Sequence, residues 1–147
     1  NNILILDGIS DPGNMGSLLR SAVWFGINSI IFSKNCVDIY NPKVVRSAMG
    51  AHFYISNLIN TNLMGIIDIL KGDKYHTIGA VLDGINYKGI ETNNKPWALI
   101  LGSEAHGISE ELHKVIDQNI SIPQRGPIES LNVAIAGSIL LDRLIHE

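Results

Sequence analysis

The sequence predicts an α/β domain, a mostly parallel sheet with helices on both faces. Three observations carry this. Short apolar runs alternate with helix-spaced segments. Each run is nearly continuous in apolar residues, as strands buried on both faces must be. The stretches richest in glycine and polar residues, 8–20, 102–107 and 123–132, each follow one of these runs, and ligands of such sheets bind beyond the carboxyl ends of the strands.

The elements follow in order. Residues 3–6 are a buried strand ending in the turn Asp7-Gly8. Asp11-Pro12 is a helix N-cap followed by proline at the first helical position. That helix runs to about Phe25 and is closed by Gly26. Residues 29–33 are a second buried strand. Asn41-Pro42 repeats the cap signal for a short helix to about Met49. Residues 53–56 read as a short strand and 63–70 as a helix. Residues 76–82 and 97–101 are strands, separated by a turn-rich stretch holding Gly84, Gly89 and Pro96. Ser109 caps a helix to about Asp117, and 119–122 form a last short strand. The final helix covers about 130–146, with Ser130 a suitable cap. Nothing from Val133 to Leu141 is charged. That helix therefore needs burial on several sides, more than one sheet face supplies, and a subunit interface would provide it.

The totals bound the answer. The 147 residues suggest one domain, large enough to bury roughly 68–70% of its unfolded surface without staples. Apolar residues at 46% and charged residues at 17% exclude a disordered chain. No apolar run approaches the ~18 residues of a membrane span. Cys36 is the only cysteine, so no internal disulfide forms, and a reducing, cytoplasmic setting is the plain reading. The net charge of −3 argues against a free-standing nucleic-acid binder, because such binding runs on Lys and Arg. An RNA role needs a local basic patch, a second copy of the chain or another domain. The chain enters its first strand almost at once, which leads us to expect an N-terminal partner domain outside it.

Each of the three loops carries candidate chemistry. In the first, Asn14 sits in the opening helical turn. Arg20, six residues on, lies about 120° around the helix from it; it is either simply solvated on a well-capped helix or able to reach a phosphate bidentately. In the second, Gly102 and Gly107 have the spacing of a phosphate-binding P-loop, but Ile108 stands where its lysine is required. That reading fails, and close backbone approach to a flat or bulky ligand remains. Glu104 is either a solvated loop carboxylate or a group that fixes a neighbouring Asn or Arg. His106 has no spaced Cys or His partner, so no metal site is read here. In the third, Pro123, Gly126 and Pro127 bend the approach, and Ser130 and Asn132 stand beside helix-front N–H groups that lack intrahelical partners.

Together the loops resemble a specific family. The run Asp11-Pro12-x-Asn14-x-Gly16-x-x-x-Arg20, then Leu101-Gly102-x-Glu104-x-x-Gly107, then Ile122-Pro123-x-x-Gly126-x-x-x-Ser130-Leu131-Asn132-Val133 is similar to the three ordered motifs of the SpoU family. These are S-adenosylmethionine-dependent RNA ribose 2′-O-methyltransferases of the SPOUT superfamily. The resemblance spans nearly the whole chain. It implies a C-terminal trefoil knot, a homodimer through the last helix, and a tRNA or rRNA substrate. It implies cofactor contacts at Gly102, Ile122 and Leu131, and functional roles for Asn14, Arg20, Glu104, Ser130 and Asn132, with no metal. It also implies an N-terminal RNA-binding domain in many members. Ser21 stands where threonine is common and Gln124 where methionine is common; neither departure removes a proposed chemical group. Two other readings stay open: a non-catalytic RNA-binding module on the same fold, and a nucleotide-binding α/β domain. The latter lacks a Gly-x-Gly-x-x-Gly turn after its first strand.

Overall fold

The computed structural model describes residues Asn1–Glu147. Six parallel strands form one sheet: β1 (Ile3–Asp7), β2 (Ser29–Phe32), β3 (Asn57–Asn60), β4 (His76–Asn86), β5 (Trp97–Gly102) and β6 (Gln118–Ser121). Their order is β3-β2-β1-β5-β4-β6. The hydrophobic strands β1 and β5 lie at the centre, in register from Ile3 opposite Ala98 to Asp7 opposite Gly102. Because side chains alternate along a strand, Leu4, Leu6, Leu99 and Leu101 enter one core while Ile3, Ile5, Ala98 and Ile100 enter the other.

Helices α1 (Pro12–Trp24), α2 (Pro42–Ala48) and α5 (Val133–Ile145) belong with the larger core; α3 (Leu63–Gly72) and the single turn α4 (Glu110–His113) cover the smaller one. The two-face reading therefore holds. The final helix is packed on more than one side, because glycine lets it come close. A Cβ on Gly137 would lie 2.7 Å from Leu101 Cδ1 of β5 and 2.8 Å from Leu18 Cδ2 of α1. No helix is long and apolar enough to cross a membrane.

Several expected boundaries are corrected. Residues 53–56 are not a strand: Ala51–Tyr54 is a 3₁₀ turn launched by Gly50 at φ +84, and the strand follows at Asn57–Asn60. Asparagine at both ends of β3 masks its strand pattern, which survives because an edge strand need not be apolar on both faces. Strand β4 continues through the expected turn at Gly84. There the missing side chain admits β6, since a Cβ would lie 2.7 Å from Ile120 Cα. The expected Ser109–Asp117 helix stops after one turn. Ser109 makes no side-chain cap bond, and its N–H donates instead to Asp7 Oδ2 at 2.7 Å. The chain then turns so that Asp117 meets Thr77. The cap of the last helix is Asn132, not Ser130.

Candidate active-site cleft

Asp11 accepts the Asn14 backbone N–H at 2.8 Å and so caps α1, with Pro12 in the first helical turn. This fixes Asn14 in that turn, where its side chain is buried. At the front of α5, Asn132 Oδ1 accepts the backbone N–H groups of Ala134 at 2.9 Å and Ile135 at 3.2 Å. Those two bonds settle the orientation of the Asn132 amide, because a flipped amide would aim N–H at N–H. The remaining Nδ2 donates to Asn14 Oδ1 at 2.8 Å. Two helix N-termini thus lie side by side, joined by one side-chain bond.

The second loop reaches the same place. Val133 N–H donates to Glu104 Oε1 at 3.3 Å. The loop is shaped by a two-way bridge between Ser103 and Gly107, with N···O distances of 3.1 and 2.8 Å, and Gly107 adopts φ +66. A Cβ on Gly102 would sit inside the backbone of Gly107 and Ile108. Glycine at 102 is therefore demanded by the returning chain itself, whatever ligand approaches it.

The third loop supplies free backbone. Between Pro123 and Leu131 no main-chain group bonds another main-chain group, and the one hydrogen bond made there is Gln124 Nε2 to Gly126 O at 2.7 Å. Ile122 is half-buried; Leu131 and Ser130 are exposed. A cleft of about 460 Å³ between α1 and α5 is lined by Asn14, Ser17, Asn132, Ala134, Ile135, Ser138 and Ile139.

The structure thus brings together Asn14, Asn132 and Glu104. It does not bring Arg20 to them. Arg20 is exposed, with no hydrogen bond or ion pair, whereas its neighbour Ser21 meets α5 through Ser21 Oγ and Ser138 Oγ at 2.8 Å. Ser130 makes no hydrogen bond. Sequence reasoning missed Asp7, whose carboxylate ties the end of β1 to Ser109 beyond the second loop; an acid closing an apolar strand was the available signal. No group of three or more His, Cys, Asp and Glu residues is placed to hold a metal.

Fold and cleft define the class, an α/β domain whose loops after β1, β5 and β6 gather at the carboxyl ends of a parallel sheet, where ligands of such sheets bind. The chain belongs to the SpoU rRNA Methylase family, whose sequence model matches residues 1–142. It is 36% identical over 143 residues to the 23S rRNA (guanosine(2553)-2′-O)-methyltransferase RlmP of Bacillus subtilis (strain 168), covering 97% of this chain and 57% of that protein. The SpoU methyltransferase AviRb from Streptomyces viridochromogenes, in complex with the cofactor AdoMet, superposes with a TM-score of 0.90 at 27% identity, over 98% of this chain and 59% of that one. The AdoMet-bound rRNA methyltransferase from Sinorhizobium meliloti gives 0.86 at 30% identity, over 97% and 55%. The chain spans less than two thirds of the length of each of these relatives.

Proposed function

We propose that this domain transfers a methyl group from S-adenosylmethionine to a ribose 2′-hydroxyl of tRNA or rRNA. The observation that carries the proposal is the convergence of three strand-end loops on the paired N-termini of α1 and α5, in a member of the SpoU family.

The residues present fit an adenosine-bearing methyl donor. The unpaired main chain of 123–131 offers donors and acceptors for a base edge. Ile122 and Leu131 offer apolar surface to a flat ring, and Gly102 ends its strand without a side chain. When bound, the donor supplies a sulfonium-activated methyl group. The protein then has to orient, exclude water and manage one proton. Asn132 and Asn14 lock the cleft wall, and Glu104 fixes the loop that faces it. Arg20, free of partners within the chain, holds the phosphate beside the target ribose and steadies negative charge developing on the 2′-oxygen. We favour this over a general-base role because guanidinium groups hold their proton in proteins.

A trefoil threading of the C-terminal segment and a homodimer through α5 belong to the same reading. The cleft wall residue Ile135 is 54% exposed in the single chain, and a partner subunit would cover it. In the dimer, Arg20 of one subunit would serve the cleft of the other.

The deciding experiment has two arms: calorimetry with S-adenosylmethionine, and transfer of labelled methyl to bulk RNA followed by nucleoside mass spectrometry. The proposal expects binding, and product carrying the methyl on ribose oxygen. Binding without transfer would favour the non-catalytic module.

A further inference from the structure

The cations of this acidic chain are unevenly placed. Residues 12–54 hold four Lys or Arg and a single acid, Asp38, although the whole chain has 11 Lys and Arg against 14 Asp and Glu. Within this segment, α2 and the 3₁₀ turn Ala51–Tyr54 pack on α1. Gly16 lets α2 cross there, because a Cβ on it would lie 2.7 Å from the Val44 carbonyl oxygen. Arg20 and Trp24 follow Gly16 at i+4 and i+8, so the three share a face. That face therefore turns toward α2 and the 3₁₀ turn after it, both of which pack on α1.

Four aromatic side chains in this region are left in water: Trp24 at 83% exposure, Phe53 at 91%, Tyr54 at 71% and Tyr40 at 69%. Lys43 and Arg46, three apart, share the outward side of α2 and are exposed without partners. The facing acids are few. Asp38 is engaged by the Tyr40 backbone N–H at 2.9 Å, and Asp11 is engaged in capping α1. Exposed aromatic faces and unpaired cations on neighbouring elements are what single-stranded nucleic acid needs: bases stack on the rings and phosphates meet the charges.

We infer that Trp24, Phe53 and Tyr54, with Lys43 and Arg46, form a stacking shelf that grips single-stranded RNA beside the ribose addressed by Arg20. The inference rests on the methyltransferase reading and names the part of the surface that holds its substrate. Charge complementarity selects RNA over an apolar protein partner. The shelf also resolves how a chain of net charge −3 engages a polyanion, since residues 12–54 set four cations against the single acid Asp38.

The test is fluorescence anisotropy with a fluorescein-labelled oligouridylate. Phe53→Leu with Tyr54→Leu keeps apolar area but removes the stacking faces, and both side chains are too exposed for folding to depend on them. Affinity should fall on the order of tenfold or more. Lys43→Gln with Arg46→Gln should weaken binding and flatten its logarithmic salt slope by roughly 1.4. Phe53→Trp should keep the affinity, with the new indole quenched as RNA binds. Unchanged affinity in the leucine variant, or no binding by the unmodified protein, overturns the shelf. So does conversion of a dimer to monomers by the leucine substitutions, which would make the patch a subunit interface. Calorimetry with S-adenosylmethionine on the same samples separates the two failures. A protein that binds the oligonucleotide but not the methyl donor sinks the catalytic reading, whereas one that binds the donor and ignores the leucine substitutions sinks only the shelf.

Discussion

Asn132 and Asn14 hold the cleft together through a 2.8 Å bond between their side chains, while Asn132 also caps the last helix. Asn132→Ala should lose the cap, about 1 kcal/mol, and strand the buried Asn14 oxygen for roughly another 1–3 kcal/mol. Thermal unfolding should show a melting temperature lower by several degrees. Asn132→Ser should recover the cap part only. Combining Asn132→Ala with Asn14→Ala should cost less than the sum of the singles, and strict additivity would mean the bond contributes nothing.

Arg20→Ala should leave both the fold and the methyl-donor affinity in place, because the side chain is exposed and unpartnered. Methyl transfer to RNA should drop by about a hundredfold or more, the scale of losing one preorganised charge stabiliser. Single-turnover kinetics reads this directly, and undiminished turnover would remove Arg20 from the mechanism.

Glycines with different surroundings should respond with opposite signs. Gly16→Ala would normally help a helix by close to 1 kcal/mol, but here its Cβ collides with Ser47 and Val44 of α2. The expected outcome is destabilisation by about 1–3 kcal/mol. Gly65→Ala, in α3 with open space around it, should stabilise by roughly 0.5–1 kcal/mol. Denaturant midpoints compare the two.

Acid should loosen the seam between β4 and β6. Burial tends to raise the Asp117 carboxyl, but bonds from the Thr77 N–H and hydroxyl and the nearby Lys71 ammonium outweigh it, so the group lies below its ordinary value. A lowered carboxyl stabilises the fold above the unfolded value, about 3.9, and that contribution disappears as pH falls through the folded value. Asp117→Asn should cost on the order of 1 kcal/mol at neutral pH, a modest figure because the ion pair is partly solvated and screened. The variant's stability should change less than the parent's on acidification below about pH 4. Parallel acid limbs in the two unfolding curves would contradict the assignment.

Ile135→Glu should place a charge in the proposed subunit interface at a position that is 54% exposed in the isolated chain. Sedimentation should then report a monomer where the parent is a dimer. A parent that sediments as a monomer rejects the interface outright.

Much of this was legible in the order of residues. The buried strands β1, β2 and β5 announce themselves as unbroken apolar runs, and Asp11-Pro12 and Asn41-Pro42 mark helix starts because proline and an oxygen-bearing cap solve the same local problem. The three loops could be singled out because each follows a strand. The misplacements share a cause. Ser130 looked like a cap by local chemistry, yet Asn132 takes the role because it can bond Asn14 from the other helix as well. Gly84 looked like a turn, but its need for glycine comes from the backbone of β6. Phe53 and Tyr54 suggested a strand by propensity, while the structure leaves both rings in water. For Asn132 and Gly84 the deciding partner lies far away in the sequence, where local pattern carries no information; for residues 53–56 the deciding feature is Gly50 at φ +84, which starts a 3₁₀ turn in place of a strand.

The asparagine pair has a consequence for biosynthesis. Its members are 118 residues apart, so a ribosome delivers α1 long before the residue that completes the cleft. A product stalled before Asn132 would contain all six strands and still lack an assembled cleft wall. Parallel pairings between distant segments are also slow to form. The bond between the two helix N-termini therefore forms late, after every strand of the sheet has been made.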